Sequence, residues 1–318
     1  MLGTELSKLC AEAHNEVLLV APFIKAPVLE RLLNKISLDV PLRCITRWFP
    51  EEIIAGVSDL EIWSLIKKRP NSSLWLRPDL HAKYYRADEQ CLVGSANLTA
   101  KALGWSNQSN LELLVTITAQ EPAIKTFERK LLTGCVPVDE DLFKQVSTTV
   151  KLLAEQHPNS LAGSLSIVEL KEENLPTNDL VAVDAWLPTL RNPDDLYLAY
   201  SGLTEKLSTA SKIAALTDLR SLPIIPNLSK AAFKAYIGTL LLQKPIIQKV
   251  DTFVKIPQRF GAVRDLIASL LYTNLPDFDA ERAWQTLMRW LLYFLPNRYA
   301  LSVPNYSEVF YRIKTETS

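Results

Sequence analysis

Residues 81–112, HAKYYRADEQCLVGSANLTAKALGWSNQSNLE, hold the most informative pattern of this chain. The short segment His81–Arg86 contains two aromatic residues and precedes a polar turn, which predicts a β-strand. Because successive side chains of a strand point to opposite faces, His81, Lys83 and Tyr85 share one face. An imidazole and an ammonium group therefore project together from one side of the predicted strand.

A second predicted strand returns towards this pair. A polar turn at Asp88 precedes the apolar run Cys91–Val93, and the run ends in GSAN, which places Ser95 and Asn97 at the end of the strand. Functional sites in α/β proteins are found at strand ends. We therefore expect a hydroxyl and a carboxamide beside the imidazole and the ammonium group.

These residue types suit phosphoryl transfer without a metal ion. Lys83 supplies positive charge, while Ser95 and Asn97 offer donors for the nonbridging oxygens of a phosphate. An ordinary histidine pKa of roughly 6.5 leaves His81 a neutral nitrogen that can attack phosphorus. A nucleophilic imidazole needs an orienting carboxylate on its other nitrogen, and Glu112 is the candidate. We predict no cofactor and no metal, because no residues with ligand spacing surround His81.

The spacing of these residues resembles the HKD signature of the phospholipase D superfamily. The matching pattern is His81-x-Lys83-x4-Asp88 followed by Gly94-Ser95-x-Asn97. The later triplet Asn110-Leu111-Glu112 resembles the Asn-x-Glu of the bacterial nuclease members. The resemblance implies a mixed α/β fold, a phosphohistidine intermediate on His81 and a mainly structural role for Asp88.

Only one such motif is present, whereas the superfamily uses two, either in one chain or in the two chains of a dimer. The other histidines, His14 and His157, have no lysine two residues later. The resemblance therefore implies a homodimer with a shared active site. One copy of His81 would attack phosphorus, and the other would protonate the leaving oxygen.

The remaining pattern predicts two domains. Strand-like and helix-like segments alternate in residues 1–155, which indicates an α/β domain. The resemblance implies that this is a phospholipase D-like catalytic domain with a mixed β-sheet flanked by helices. The proline, glycine and serine residues of QHPNSLAGS favour a linker within residues 156–180. Residues 181–318 predict a mostly helical domain for substrate or partner recognition. Its predicted helices are Ser208–Leu219, Lys230–Leu242, Arg259–Leu271 and Ala280–Leu295.

Charge alone identifies no partner. The 35 lysines and arginines balance the 35 aspartates and glutamates, so the basic excess typical of many nucleic-acid-binding proteins is missing. Residues 244–264 are locally basic, and their cations either contact nucleic-acid phosphates or only face solvent: Lys244, Lys249, Lys255, Arg259 and Arg264. Trp105 either stacks on a base or packs in the core. The sequence shows no apolar run of membrane-spanning length, and we expect a cytoplasmic protein without stable membrane association.

Three functions fit this sequence. The first is a homodimeric nuclease of restriction or phage defence, with DNA favoured over RNA as the substrate. The second is a phospholipid head-group hydrolase or transferase, which is disfavoured because single-chain lipid-acting members commonly carry two motifs. The third is a noncatalytic nucleic-acid-binding or assembly protein, although every catalytic residue type is present. We expect the first, a metal-independent phosphodiesterase.

Overall fold

A computed structural model describes residues 1–156, 186–271 and 278–313. The chain divides into two compact units, Met1–Val168 and Glu169–Ser318. The linker predicted at residues 156–180 lies outside the described residues, except for Gln156, which ends a helix. His157 lies outside them as well.

In the described part of the first unit, seven strands form a mixed sheet flanked by six helices. The strands are β1 (Val17–Val20), β2 (Leu42–Thr46), β3 (Ser72–Leu76), β4 (Lys83–Ala87), β5 (Gln90–Gly94), β6 (Leu114–Thr118) and β7 (Val136–Pro137). The helices are α1 (Leu2–Ala11), α2 (Ala26–Leu33), α3 (Pro50–Ile54), α4 (Ile62–Lys68), α5 (Pro122–Thr133) and α6 (Glu140–Gln156). The strand order is β6-β5-β4-β1-β2-β3-β7, in which β2 pairs parallel with β1 and β3, and every other neighbouring pair is antiparallel.

Apolar side chains on both faces of this sheet are buried. On one face Leu18, Tyr84 and Cys91 belong to a core cluster with Leu131 of α5. Large side chains of this kind contribute about 1.5–3 kcal/mol each when they leave water. Tyr85, next to Tyr84 on β4, is fully buried and points to the opposite face. The alternation predicted from HAKYYR is therefore present in β4.

The hairpin of β4 and β5 positions the motif. Lys83 pairs with Gly94 and Ala87 with Gln90, so a two-residue turn that begins at Asp88 joins the strands. Asp88 has a φ of 52°, in the left-handed region that tight hairpin turns require and that aspartate tolerates. The His81-x-Lys83 and Gly94-Ser95-x-Asn97 parts of the motif consequently lie at the end of the hairpin opposite to the turn.

The predicted α/β fold class is confirmed, and the start of one predicted strand differs. The strand predicted to begin at His81 begins at Lys83, because β5 ends at Gly94 and offers no further partner. Neither β7 nor the long helix α6 follows from the sequence pattern.

The second unit is mostly helical, as predicted, but it also contains a small antiparallel sheet. Its helices are α7 (Asp195–Tyr200), α8 (Thr209–Arg220), α9 (Lys230–Leu242), α10 (Pro245–Phe253), α11 (Phe260–Leu270) and α12 (Ala280–Phe294). Strands β8 (Gln258–Arg259), β9 (Tyr299–Ser302) and β10 (Val309–Arg312) form a sheet in the order β8-β10-β9. Within the described ranges, no helix combines the length and apolar character needed to cross a bilayer.

Candidate active site

Lys83 and His81 lie at the start of β4. Lys83 is the first residue of the strand and is 9% exposed, and its Nζ donates a hydrogen bond of 2.8 Å to the carbonyl oxygen of His81. This contact fixes the backbone that carries the imidazole. The His81 side chain itself is exposed, so it is accessible to a substrate.

Hydrogen bonds join Ser95, which follows β5, to Glu112, which precedes β6. The Ser95 hydroxyl donates to Glu112 Oε2, and Asn110 Nδ2 donates to Glu112 Oε1 over 3.2 Å. Two further bonds tie Ser95 to Leu113: Ser95 N donates to the Leu113 carbonyl over 2.9 Å, and Leu113 N donates to Ser95 Oγ over 3.1 Å. The carboxylate of Glu112 is thus held at the site.

Gly94 allows this close approach of the two chain segments. A Cβ at position 94 would lie 1.9 Å from the Leu113 carbonyl oxygen, and a backbone atom cannot move aside as a side chain can. Only glycine fits here without a backbone shift. The glycine of the motif therefore brings the Glu112 segment against Ser95.

Asn97 presents a buried polar atom that no described residue satisfies. Its Oδ1 is buried and has no hydrogen-bond partner among the described residues. Such an atom costs free energy unless a ligand or another group donates to it. The segment around it is fixed, because the Tyr85 hydroxyl donates to the carbonyl oxygen of Ala96 over 2.5 Å.

Positive charge lowers the pKa of the imidazole. Lys83 makes the largest contribution to lowering the pKa of His81 below 6.5, followed by partial burial and by Arg47. His81 is therefore mostly neutral near pH 7, the form that can attack phosphorus. Burial and Arg47 also lower the pKa of Lys83, while Glu112 opposes that shift by raising it.

Arg47 is a component of this site that sequence reasoning missed. It directly follows β2, and its Nη1 donates a hydrogen bond of 3.0 Å to the carbonyl oxygen of Leu80, the residue before His81. Its Nη2 lies 2.5 Å from Glu52 Oε1, and both side chains are largely buried. A cation directly after a buried strand was the available signal, since sites form at such strand ends.

The predicted pairing of Glu112 with the His81 ring is not formed. Within the described residues, no hydrogen bond joins the two side chains, and the carboxylate instead accepts from Ser95 and Asn110. The role of Glu112 as the orienting group of the imidazole stays a prediction. Its influence on the pKa of Lys83 shows that it lies within electrostatic reach of the site.

Asp88 lies at the opposite end of the hairpin and connects it to the end of α1. Its carboxylate accepts hydrogen bonds of 2.9, 2.8 and 3.0 Å from the backbone N–H groups of His14, Asn15 and Glu16. Although partial burial raises the pKa of this carboxyl, the three backbone donors together lower it below its usual value. These contacts agree with the structural role implied for Asp88.

Trp105 packs within the first unit. Its indole lies against Gly3, where an added Cβ would approach it to 2.3 Å, and the Arg31 guanidinium lies 4.0 Å from its ring centroid. This ring face is already covered. Stacking of Trp105 on a base stays a prediction.

The predicted basic segment occupies several elements of the second unit. Lys249 on α10, Lys255 after it and Arg259 in β8 are exposed. Lys244 lies 5.2 Å from the Trp186 ring centroid, and Arg264 pairs with Asp265 over 2.8 Å. The contact of these cations with nucleic acid stays a prediction.

Comparisons with known proteins give partial likenesses. No protein-family model matches the chain, and no curated protein matches its sequence. NucT from Helicobacter pylori is 19% identical with a TM-score of 0.35, over 42% of this chain and 89% of that chain. Phosphatidylserine synthase from Haemophilus influenzae Rd KW20 is 11% identical with a TM-score of 0.38, over 50% of this chain and 42% of that chain. TrmBL2, an archaeal chromatin protein, is 18% identical with a TM-score of 0.27, over 40% of this chain and 45% of that chain. The chemistry of this chain must therefore be inferred from its own site residues.

Proposed function

We propose that this chain is a metal-independent phosphodiesterase of the phospholipase D type, which cleaves DNA as a homodimer through a phosphohistidine on His81. The observation that carries the proposal is the exposed imidazole of His81, whose pKa is lowered, next to the buried Lys83, whose Nζ donates to the His81 carbonyl oxygen. Ser95, Asn97 and Glu112 complete the set of residue types that this chemistry needs. Restriction or phage defence is the proposed biological use, supported by the resemblance of Asn110-Leu111-Glu112 to bacterial nuclease members.

Two displacements at phosphorus make up the proposed reaction. In the first, a neutral His81 nitrogen attacks phosphorus, the P–N bond forms and the bond to the leaving oxygen breaks. The leaving oxygen takes a proton from the second, protonated copy of His81. In the second, water attacks the phosphohistidine and the P–N bond breaks, while the now neutral second imidazole takes up the proton of the water. Lys83 and the amide of Asn97 stabilise the negative charge that builds on the nonbridging oxygens.

An exposed apolar stripe beside the site supports a second copy of the chain as its partner. Leu111, Leu113 and Val115 alternate along the segment that carries Glu112, and they are 102%, 63% and 52% exposed. The stripe continues onto β6, which is an edge strand of the sheet. Exposed apolar groups and unpaired strand edges are typical of association surfaces. A twofold contact here would place two Glu112 segments near one axis.

Cleavage assays with a chelator test the chemistry. Purified protein in EDTA is incubated with labelled single-stranded DNA, duplex DNA, RNA and phosphatidylcholine vesicles, and His81→Ala is compared with the matched control His14→Ala. We expect DNA cleavage by the wild type and by His14→Ala, and none by His81→Ala. Activity that disappears in EDTA and returns with magnesium or zinc would refute the phosphohistidine route. Cleavage of the vesicles alone would replace DNA by a phospholipid as substrate.

Subunit mixing tests the shared site. Wild-type protein is mixed with an excess of His81→Ala protein under conditions that allow exchange, after its mass in solution has been measured. Heterodimers lack one of the two imidazoles, so activity should fall towards the fraction of wild-type homodimers. A fully active monomer, or activity proportional to the number of wild-type subunits, contradicts the homodimeric site.

A further inference from the structure

The second unit carries an arginine-lined groove that the chemistry at His81 does not use. It has a volume of about 470 Å³ and lies between residues 191–193 and the C-terminal half of α12. Arg191 and Arg289 contribute the charge, and Asn192 and Tyr293 contribute further polar groups. Both arginines are exposed. Neither forms an ion pair with another residue in the described parts of the chain.

The walls of this groove are fixed by buried contacts. Trp290 Nε1 donates a hydrogen bond of 2.7 Å to the carbonyl oxygen of Leu190, which ties α12 to the residue before Arg191. The carboxylate of Asp218 accepts from Thr189 N over 3.0 Å and from Leu190 N over 2.8 Å. Asp218 is itself only 1% exposed. The two arginines are thus presented by a preorganised frame, which reduces the entropy lost when a ligand binds.

The surroundings of the groove retain positive charge. Lys230 lies 2.8 Å from Asp194 Oδ1, and the Tyr293 hydroxyl donates to the same oxygen over 2.5 Å, so that carboxylate is already satisfied. Lys234 lies 4.2 Å from the ring centroid of Tyr293. The nearby Asp195 accepts from Asn192 over 2.8 Å. Four cations against two carboxylates leave an excess of two positive charges around the groove.

We infer that this groove binds backbone phosphates of a nucleic acid, with Arg191 and Arg289 as the contacts. Guanidinium groups donate paired hydrogen bonds to phosphate oxygens, and they do so without regard to base sequence. An open groove admits a continuous strand, whereas an enclosed pocket would admit only a small ligand. The inference rests on the proposed nuclease function for the identity of the ligand, and it gives the second unit a role in holding the substrate.

Binding measurements on the full chain test the groove. His81→Ala serves as the background so that DNA is not cut, and Arg191→Ala with Arg289→Ala is added to it. Affinity for a fluorescent DNA duplex is measured by anisotropy between low and moderate salt. Each phosphate contact on duplex DNA contributes about 0.9 to the salt slope, which is the decrease of log affinity with log salt concentration. One contact therefore makes affinity about eightfold higher at 0.1 M salt than at 1 M salt. Loss of both arginines should therefore lower the slope by about 1.8 and weaken binding by well over tenfold.

Two matched variants complete this experiment. Lys212→Ala with Arg220→Ala removes the same charge from the exposed surface of α8 and should leave the salt slope unchanged. Arg191→Lys with Arg289→Lys keeps both positive charges and should restore the salt slope. The inference is overturned if the groove variant binds like the α8 control, or if the background protein does not bind the duplex. Wild-type cleavage in EDTA is measured in parallel, so failure of the groove and failure of the nuclease proposal are distinguished.

Discussion

Replacing Arg47 by methionine should destabilise the first unit and change the pH dependence of catalysis. Methionine fills similar space, but it removes the donor to the Leu80 carbonyl and the ion pair with Glu52. Burial already raises the pKa of Glu52, and the hydrogen bond and charge of Arg47 oppose that shift. In Arg47→Met, the carboxylate of Glu52 loses the cation that opposes this rise of its pKa.

The structure sets the size of the effect. Removing one partner of a buried ion pair costs about 3–5 kcal/mol, and a hydrogen bond to a charged group contributes about 1.5–3 kcal/mol. The Arg47 and Glu52 side chains remain 19% and 16% exposed, and solvent therefore weakens their interaction. We expect Arg47→Met to lower the free energy of unfolding by about 2–3 kcal/mol, below the range for a fully buried pair. The cost should be smaller in Arg47→Met with Glu52→Gln, because the neutral amide is cheaper to leave unpaired, and the coupling energy should be about 1–2 kcal/mol.

Urea unfolding of the two single variants and the double variant measures this coupling. A carboxyl with a raised folded-state pKa stabilises the fold below its unfolded pKa and loses that contribution as pH rises through the folded value. Loss of Arg47 raises the folded pKa of Glu52 further, so the variant should lose more stability at pH 8 than at pH 5. Additive effects of equal size at both pH values would refute the role of this pair.

Kinetics of the same variant report on His81. Arg47 is one of the groups that lower the pKa of the imidazole, so its removal should raise that pKa. Because the neutral form attacks phosphorus, the ascending limb of kcat/KM should move to higher pH in Arg47→Met. An unchanged limb would show that Arg47 acts only on stability.

Further variants separate chemistry from structure. His81→Ala should abolish turnover, while Lys83→Ala and Asn97→Ala should lower kcat by about 10²–10³, the range of lost oxyanion donors, in single-turnover assays; rates close to wild type would remove these residues from the site. Asp88→Ala should cost about 2 kcal/mol in urea unfolding at pH 7 because it orphans three backbone donors. A lowered carboxyl pKa gives stability above the unfolded value that is lost as pH falls, so this difference should fade below about pH 4, and a constant difference would contradict it. Gly94→Ala should lower stability by about 1–3 kcal/mol, since its Cβ would meet a backbone carbonyl; a variant with unchanged midpoint and activity would show that the segment can shift freely.

The sequence by itself determined the elements that depend on near neighbours. Alternation in HAKYYR and the polar turn at Asp88 specify a hairpin, because strand faces and tight turns are local properties. The α/β character of the first unit and the helical character of the second follow from periodicity for the same reason. The start of β4 was misplaced, because a strand begins where its partner ends, and that partner residue, Gly94, lies eleven positions beyond Lys83.

Only the tertiary structure decided which distant residues meet. Arg47 reaches the backbone before His81 because β2 and β4 flank β1 in one sheet, a relation that no local pattern encodes. Ser95 rather than the His81 ring bonds Glu112, because the close approach at Gly94 sets the geometry of the two segments. The groove likewise joins residues 191–193 to α12, across about a hundred positions, through the hydrogen bond from Trp290 to Leu190. Such contacts arise from packing, which brings together residues whose sequence separation carries no periodic signal.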